Sequence, residues 1–172
     1  MGTNEKVLKE NKPTADVLMS SISFMMALCR PPFIKSSELR DESPMELNKY
    51  LTETNGLLLY QEQVMEILHD LCEIDFVEAE RVRKLLAMRK HEEVSEYKKV
   101  FTEKFSAKYG YGIANNVWDY LWNNCRYCFL KAHSISYAFT AYQSAYLKAN
   151  HRKEFDEIFT ERRKEFVQRV TM

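Results

Sequence analysis

The stretch Asp75-Phe76-Val77-Glu78-Ala79-Glu80-Arg81-Val82-Arg83-Lys84-Leu85-Leu86 decides the fold class. An aspartate followed three residues later by a glutamate marks a helix start, because the first turn of a helix carries amide N–H groups with no partner inside it. Val82, Leu85 and Leu86 then fall on one side of the 3.6-residue period, and Arg81 and Lys84 on the other. The reading is an amphipathic helix with a basic outer face.

The same period recurs on both sides of it. Toward the carboxyl end, Val94, Tyr97, Phe101 and Phe105 continue it until Tyr109-Gly110-Tyr111-Gly112 interrupts, and Val117, Trp118, Leu121, Trp122 and Cys125 resume it. Ser134 is expected to cap a last core helix on which Ala138, Ala141, Ala145 and Ala149 form a small-residue stripe, with Tyr137, Tyr142 and Tyr146 off it. Phe155, Ile158, Phe159, Phe166 and Val170 among Arg162, Arg163, Lys164 and Arg169 predict a basic amphipathic helix over 153–172 suited to docking on this domain, the preferred reading, or on a partner.

Toward the amino end, Val64, Met65, Leu68, Leu71 and Cys72 predict another helix, preceded by a short buried strand-like run, Leu57-Leu58-Leu59-Tyr60. Asn55-Gly56 turns the chain, and Ser43-Pro44-Met45-Glu46 is a capping box opening a short helix through Leu47, Tyr50 and Leu51. Thr14 caps a first helix whose inner face is Leu18, Ile22, Met25 and Cys29, and Arg30-Pro31-Pro32 ends it.

Composition agrees with an all-α protein. The 172 residues are 45% hydrophobic and 29% charged with only four Gly and four Pro, enough for one core and too few turn residues for a sandwich or barrel. The expected organisation is an N-terminal arm over 1–11, one compact multi-helix domain over 12–152 and the basic helix over 153–172. No apolar run reaches the length of a membrane span, and the N-terminus has neither a signal-peptide h-region nor a myristoylation pattern, so the expected location is cytoplasmic.

Zero net charge hides an asymmetry: residues 38–80 carry twelve acids against two bases, and residues 81–108 nine bases against four acids. Two readings are open: a polyanion met by the second half and repelled by the first, or ordinary solvated helix faces, which charge alone favours. Cys125-Arg126-Tyr127-Cys128 and His69-Asp70-Leu71-Cys72 have the spacing of zinc ligands. They lie inside amphipathic patterns without nearby Gly or Pro, so core thiols and no metal are expected. No phosphate-loop, dinucleotide, zincin or nucleophile-elbow signature occurs, and no two aspartates stand one residue apart.

Two basic elements carry the candidate chemistry. Arg81-Val82-Arg83-Lys84 with Arg89-Lys90-His91 places several cations along one helix and its end, suited to phosphate oxygens. Phe129-Leu130-Lys131-Ala132-His133-Ser134 sets a cation, an imidazole and a hydroxyl at a loop-to-helix junction, where free N–H groups favour an anion.

Both lie in longer strings. Residues 53–65, Glu-Thr-Asn-Gly-Leu-Leu-Leu-Tyr-Gln-Glu-Gln-Val-Met, resemble the E-T-x-G-h-h-h-Y-Q-E-Q-V-M segment of C-family bacterial replicative polymerases, the DNA polymerase III α subunit, h being apolar. Residues 78–84 are similar to that family's E-A-D-L-L-R-R, residues 129–138 to its F-x-K-[SA]-H-A-A-A-Y-A, and 141–149 follow its S-Y-Q-T-A-Y-L-K-A. Weaker similarity at Lys12-Pro13-Thr14 and Ala27-Leu28-Cys29-Arg30-Pro31 extends the resemblance to roughly residues 12–159.

These blocks belong to the fingers of that family. The resemblance implies that Arg83, Lys84, Lys131 and His133 bind the incoming deoxynucleoside triphosphate, and Arg81, Arg89, Lys90 and Lys148 are expected to meet primer–template DNA. Lys84 keeps the charge of the family's second arginine but loses the bidentate fork. The family's G-K-K-K-P-E-E reads Ala87-Met88-Arg89-Lys90-His91-Glu92-Glu93 here, and its G-Y-G-F reads Arg126-Tyr127-Cys128-Phe129, exchanging glycines for residues with less backbone freedom.

The family's palm, with its metal-binding aspartates, does not appear in these 172 residues. The expectation is a free-standing fingers module that binds no cofactor of its own and depends on a palm, with its Mg²⁺, or another replisome component on a second chain. The alternative is a non-enzymatic mimic of the fingers that binds and inhibits or redirects a replicase.

Overall fold

A computed structural model describes residues 14–29 and 43–170. These residues form α-helices and short 3₁₀ turns, with no strand among them. The helices are α1 (Ala15–Leu28), α2 (Asn48–Leu51), α3 (Gln61–Cys72), α4 (Phe76–Ala87), α5 (His91–Tyr109), α6 (Tyr111–Asn124), α7 (Lys131–Asn150) and α8 (Arg152–Val170). The chain divides into two units, one of residues 23–134 and one formed by the segments up to Ile22 and from Ile135 onward.

The 23–134 unit holds the main core. Gly110, at φ 86°, is the single residue between α5 and α6, and a one-residue link folds the second helix back on the first. Phe101 and Trp118 meet across this pair with ring centroids 5.2 Å apart, both essentially inaccessible. Val64, Ile67 and Leu68 of α3 and Val82 and Leu86 of α4 complete the core with them. Each such side chain contributes about 1.5–3 kcal/mol on leaving water.

Helix ends follow the expected chemistry in several places. Asp75 accepts the Glu78 N–H at 2.8 Å, but the Glu78 carboxylate turns to the Tyr97 hydroxyl and to Arg81 rather than closing the box. Thr14 Oγ1 accepts from Val17 N–H at 3.4 Å. Asn55 (φ 51°) and Gly56 (φ 82°) make the left-handed turn that their types favour.

Other expectations are corrected. Ser43 does not cap: Pro44 precedes a 3₁₀ turn over Met45–Leu47 with no side-chain cap, and α2 follows as one turn. On α1, Met25 and Cys29 are exposed and Ser23 and Ala27 are buried instead, because Ala27 packs with Leu59 and Tyr60. Ser134 lies inside α7, which begins at Lys131; it is fully buried, its hydroxyl donating to Lys131 C=O and lying 2.6 Å from the hydroxyl of Ser23. Of the small-residue stripe only Ala138 is buried. On α8, Ile158, Phe159 and Phe166 are exposed. Arg30-Pro31-Pro32 and residues 1–11 lie outside the described residues.

Candidate functional site

The segments 53–63 and 128–134, separated by about seventy residues, form one interlocked structure. Phe129 N–H donates to Leu59 C=O at 2.8 Å and Gln61 N–H to Phe129 C=O at 2.9 Å, a lone parallel bridge that gives the apolar run 57–60 its strand-like character. Gln63, 2% exposed, fixes this run from below. Its Oε1 accepts from Leu59 N–H at 2.9 Å and Tyr60 N–H at 2.8 Å, and its Nε2 donates to Tyr50 C=O at 3.1 Å and Thr54 Oγ1 at 2.7 Å. All four hydrogen-bonding positions of the amide are filled.

Two carboxylates then position Lys131. Glu62 accepts from Lys131 N–H at 3.0 and 2.9 Å and from Ala132 N–H at 3.4 Å, so the amino end of α7 is already met by an internal anion. This corrects the expectation of N–H groups open to a ligand there. Glu53 takes the Lys131 ammonium through both oxygens at 2.7 Å, and the same ammonium lies 5.7 Å from the Tyr60 ring centroid. His133 is exposed, its ring edge-on to Phe129 at 5.4 Å.

Arg83 is placed by α4 with its side chain turned inward. It is 7% exposed, and Glu80, one turn back, receives its Nε at 2.5 Å and its Nη2 at 2.9 Å. The guanidinium holds the Glu80 carboxyl below the usual range despite partial burial. Lys84 is exposed and reaches the same carboxylate at 3.2 Å, so Glu80 serves both cations. Behind Arg83, the Cys125 thiol donates to the Arg83 carbonyl at 3.5 Å, and burial pushes that thiol up to about 12. Helix α4 thereby packs on the turn Cys125–Tyr127, which leads within four residues to Lys131.

The structure thus groups the four nucleotide candidates in pairs: Arg83 with Lys84 around Glu80, and Lys131 with His133 in the first turn of α7. Among the cations expected to meet DNA, Arg81 and Lys90 are exposed with loose partners, Glu78 and Glu93, each at 3.5 Å. Arg89 is committed elsewhere. It sits at φ 59° in a motif closing α4, where Lys90 N–H reaches Leu85 C=O and Arg89 N–H reaches Leu86 C=O. Its guanidinium donates to Trp122 C=O at 2.5 Å and Asn123 C=O at 3.4 Å, satisfying the carboxyl end of α6, and stacks 4.8 Å from the Trp122 centroid. Lys148 is exposed in the last turn of α7, in the other unit.

Glu53, Glu62, Gln63 and Glu80 do not stand out as site residues from sequence. Several acids of the acid-rich segment, which reads as a repelling field, are counter-charges within the chain: Glu53 on Lys131, Glu80 on Arg83, Asp70 on Lys49 at 2.9 Å and Glu73 on Lys104 at 2.6 Å. A count of charges along the chain cannot see that pairing. Among the described residues no three His, Cys, Asp or Glu side chains come together to hold a metal ion.

Residues 4–109 match the family model for the finger domain of the bacterial DNA polymerase III alpha subunit. The chain belongs to this family. DNA polymerase III subunit alpha of Thermotoga maritima is 32% identical over 82% of the chain, that of Treponema pallidum 32% over 87%, and that of Halalkalibacterium halodurans 29% over 90%. The chain spans 17%, 13% and 14% of the lengths of these curated relatives. Their coverage extends the polymerase III similarity past residue 109, into the part of the chain that carries Lys131 and His133. No helix among the described residues is long and apolar enough to cross a membrane.

Proposed function

We propose that this finger domain binds an incoming deoxynucleoside triphosphate through Arg83, Lys84, Lys131 and His133 and guides primer–template DNA with Arg81 and Lys90. The observation that carries the reading is the state of its two family-block cations: Arg83 and Lys131 are each held in a fixed orientation by a carboxylate through charge-assisted hydrogen bonds, a geometry that also suits phosphate oxygens. Oriented cations at a transferring phosphoryl group act by positioning and charge neutralisation. The magnesium-holding carboxylates of nucleotidyl transfer would come from a palm outside these 172 residues, and the setting would be the cytoplasm. Arg89 is left out of the nucleic-acid face because its guanidinium satisfies backbone carbonyls that close α6, which unlike a side-chain carboxylate cannot rotate away.

The test is fluorescence anisotropy of a labelled primer–template titrated across a salt series, with and without nucleotide and Mg²⁺, for the natural chain, Lys131→Ala and Arg81→Ala. Removing a single cation–phosphate pairing should lower the slope of log K against log salt by about 0.9. Lys131→Ala should weaken the nucleotide-dependent component, and Arg81→Ala the nucleotide-independent one. Unchanged curves in both variants with unchanged melting would refute the assignment. Absence of binding at low salt would favour a fingers-shaped surface that engages replication proteins instead.

A further inference from the structure

The carboxylates that orient the two candidate phosphate cations also stand in the way of the ligand proposed for them. Lys131 has both oxygens of Glu53 at 2.7 Å, and Arg83 has both oxygens of Glu80 at 2.5 and 2.9 Å. Each acid therefore lies where phosphate oxygens would bind. A triphosphate cannot engage these donors while the carboxylates remain, because like charges at hydrogen-bonding separation repel strongly.

The carboxylates differ in how they can leave. Glu53 has a half-exposed side chain in the 3₁₀ turn 52–54 and can rotate into water. Glu80 is one-third exposed, so it can rotate away from Arg83 into water. Glu62 is different, since it binds backbone N–H groups that begin a helix.

Resting on the nucleotide reading above, we infer that Glu53 and Glu80 are positioning residues that occupy the phosphate sites of Lys131 and Arg83, keep both cations oriented, and are displaced by an incoming polyphosphate. Binding is then an exchange of anions. A phosphate group with more than one negative charge wins that exchange, and a singly charged anion does not. The arrangement selects for polyphosphate over the monovalent anions of the solvent.

The test uses the full chain with inorganic tripolyphosphate as probe, by isothermal titration calorimetry, comparing the natural protein with Glu53→Gln, Glu80→Gln and, as a charge control, Glu96→Gln. Glu96 is exposed and pairs with Lys99 rather than with a site residue. Glutamine keeps the size and one acceptor while removing the charge. Glu53→Gln should tighten tripolyphosphate binding about two- to fivefold, and Glu80→Gln about tenfold or more, because its partner is the more buried. Chloride should compete measurably in both variants and negligibly in the natural chain. A positioning role is separated from a purely structural one by sign, since a damaged site binds more weakly. Unchanged or weaker affinity in Glu53→Gln, or equal tightening in Glu96→Gln, overturns the exchange and leaves the nucleotide reading standing. No tripolyphosphate binding by any of the four proteins, each folded by circular dichroism, overturns both.

Discussion

Replacing Gln63 by leucine should be among the most damaging single changes in the chain. The substitution keeps the volume and removes every polar atom from a side chain that is 2% exposed. Tyr50 C=O loses the Gln63 donor, and Thr54 Oγ1 keeps its donation to Leu57 C=O at 2.6 Å. Leu59 and Tyr60 N–H lose their shared acceptor, Gln63 Oε1, and Tyr60 is 4% exposed with Leu59 wholly buried. Two orphaned buried donors cost about 1–3 kcal/mol each, so the expected loss is about 3 kcal/mol or more. With a urea dependence of about 1.5 kcal/mol per molar, the midpoint should fall by about 2 M. Urea unfolding followed by circular dichroism reads this directly. Gln63→Glu sharpens the test, because a protonated acid can still donate to Tyr50 C=O whereas a carboxylate faces that carbonyl. Its folded pKa would be raised, so this variant should approach natural stability below the ordinary carboxylate range and lose it as pH rises. A midpoint shift below about 0.5 M in Gln63→Leu, or a Gln63→Glu variant indifferent to pH, would refute the clamp.

Four further outcomes follow from particular residues. Arg89 occupies a left-handed conformation, so Arg89→Gly should be more stable than Arg89→Ala by about 1 kcal/mol, although both lose the cap on α6 and its stacking on Trp122; equal urea midpoints would contradict this. Thr102 is 6% exposed with its hydroxyl unpartnered, so Thr102→Val should be neutral or stabilising by up to about 1 kcal/mol, and a lower melting temperature would show the hydroxyl to be satisfied. Cys29 is exposed, Cys72, Cys125 and Cys128 are buried, and burial raises Cys72 and Cys125 to about 12; at pH 8 a chromogenic disulfide reagent should therefore label one thiol quickly and three only on unfolding. Because these two pKa values are raised in the fold, stability should fall as pH climbs from about 9 toward 12, and Cys125→Ala should soften that fall.

The helices are legible in the sequence because their period and caps are local. Asp75 capping α4 and the apolar faces of α3, α5 and α6 depend on residues within a few turns of one another. Sequence and structure part where a distant segment chooses the face. The buried side of α1 is set by Leu59 and Tyr60, more than thirty residues away, and Ser134 reads as a cap because its partner Ser23 is 111 residues distant. The site is half legible for the same reason. Its cations stand out by type and family resemblance, whereas the acids that hold them appear in the sequence only as surplus negative charge.

That difference bears on what the family-resembling blocks do. Tyr60, Gln61, Glu62 and Gln63 form a continuous string, yet their contacts are internal: a bridge to Phe129, a helix end begun at Lys131, and a buried amide with no free valence. None of them need touch a substrate for their loss to abolish binding. The division between scaffold and site runs instead through the kind of group each acid holds. An acid on backbone N–H groups, as Glu62 is, caps a helix, and its loss costs about 1 kcal/mol of helix stability. An acid on a side-chain ammonium or guanidinium, as Glu53 and Glu80 are, can be exchanged by rotating one bond. Mobile carboxylates meet cations at Lys131 and Arg83, which lie in the family-resembling blocks, and also at Lys49, Lys98, Lys99 and Lys104, which lie outside them, so the proposed exchange concerns the first two alone.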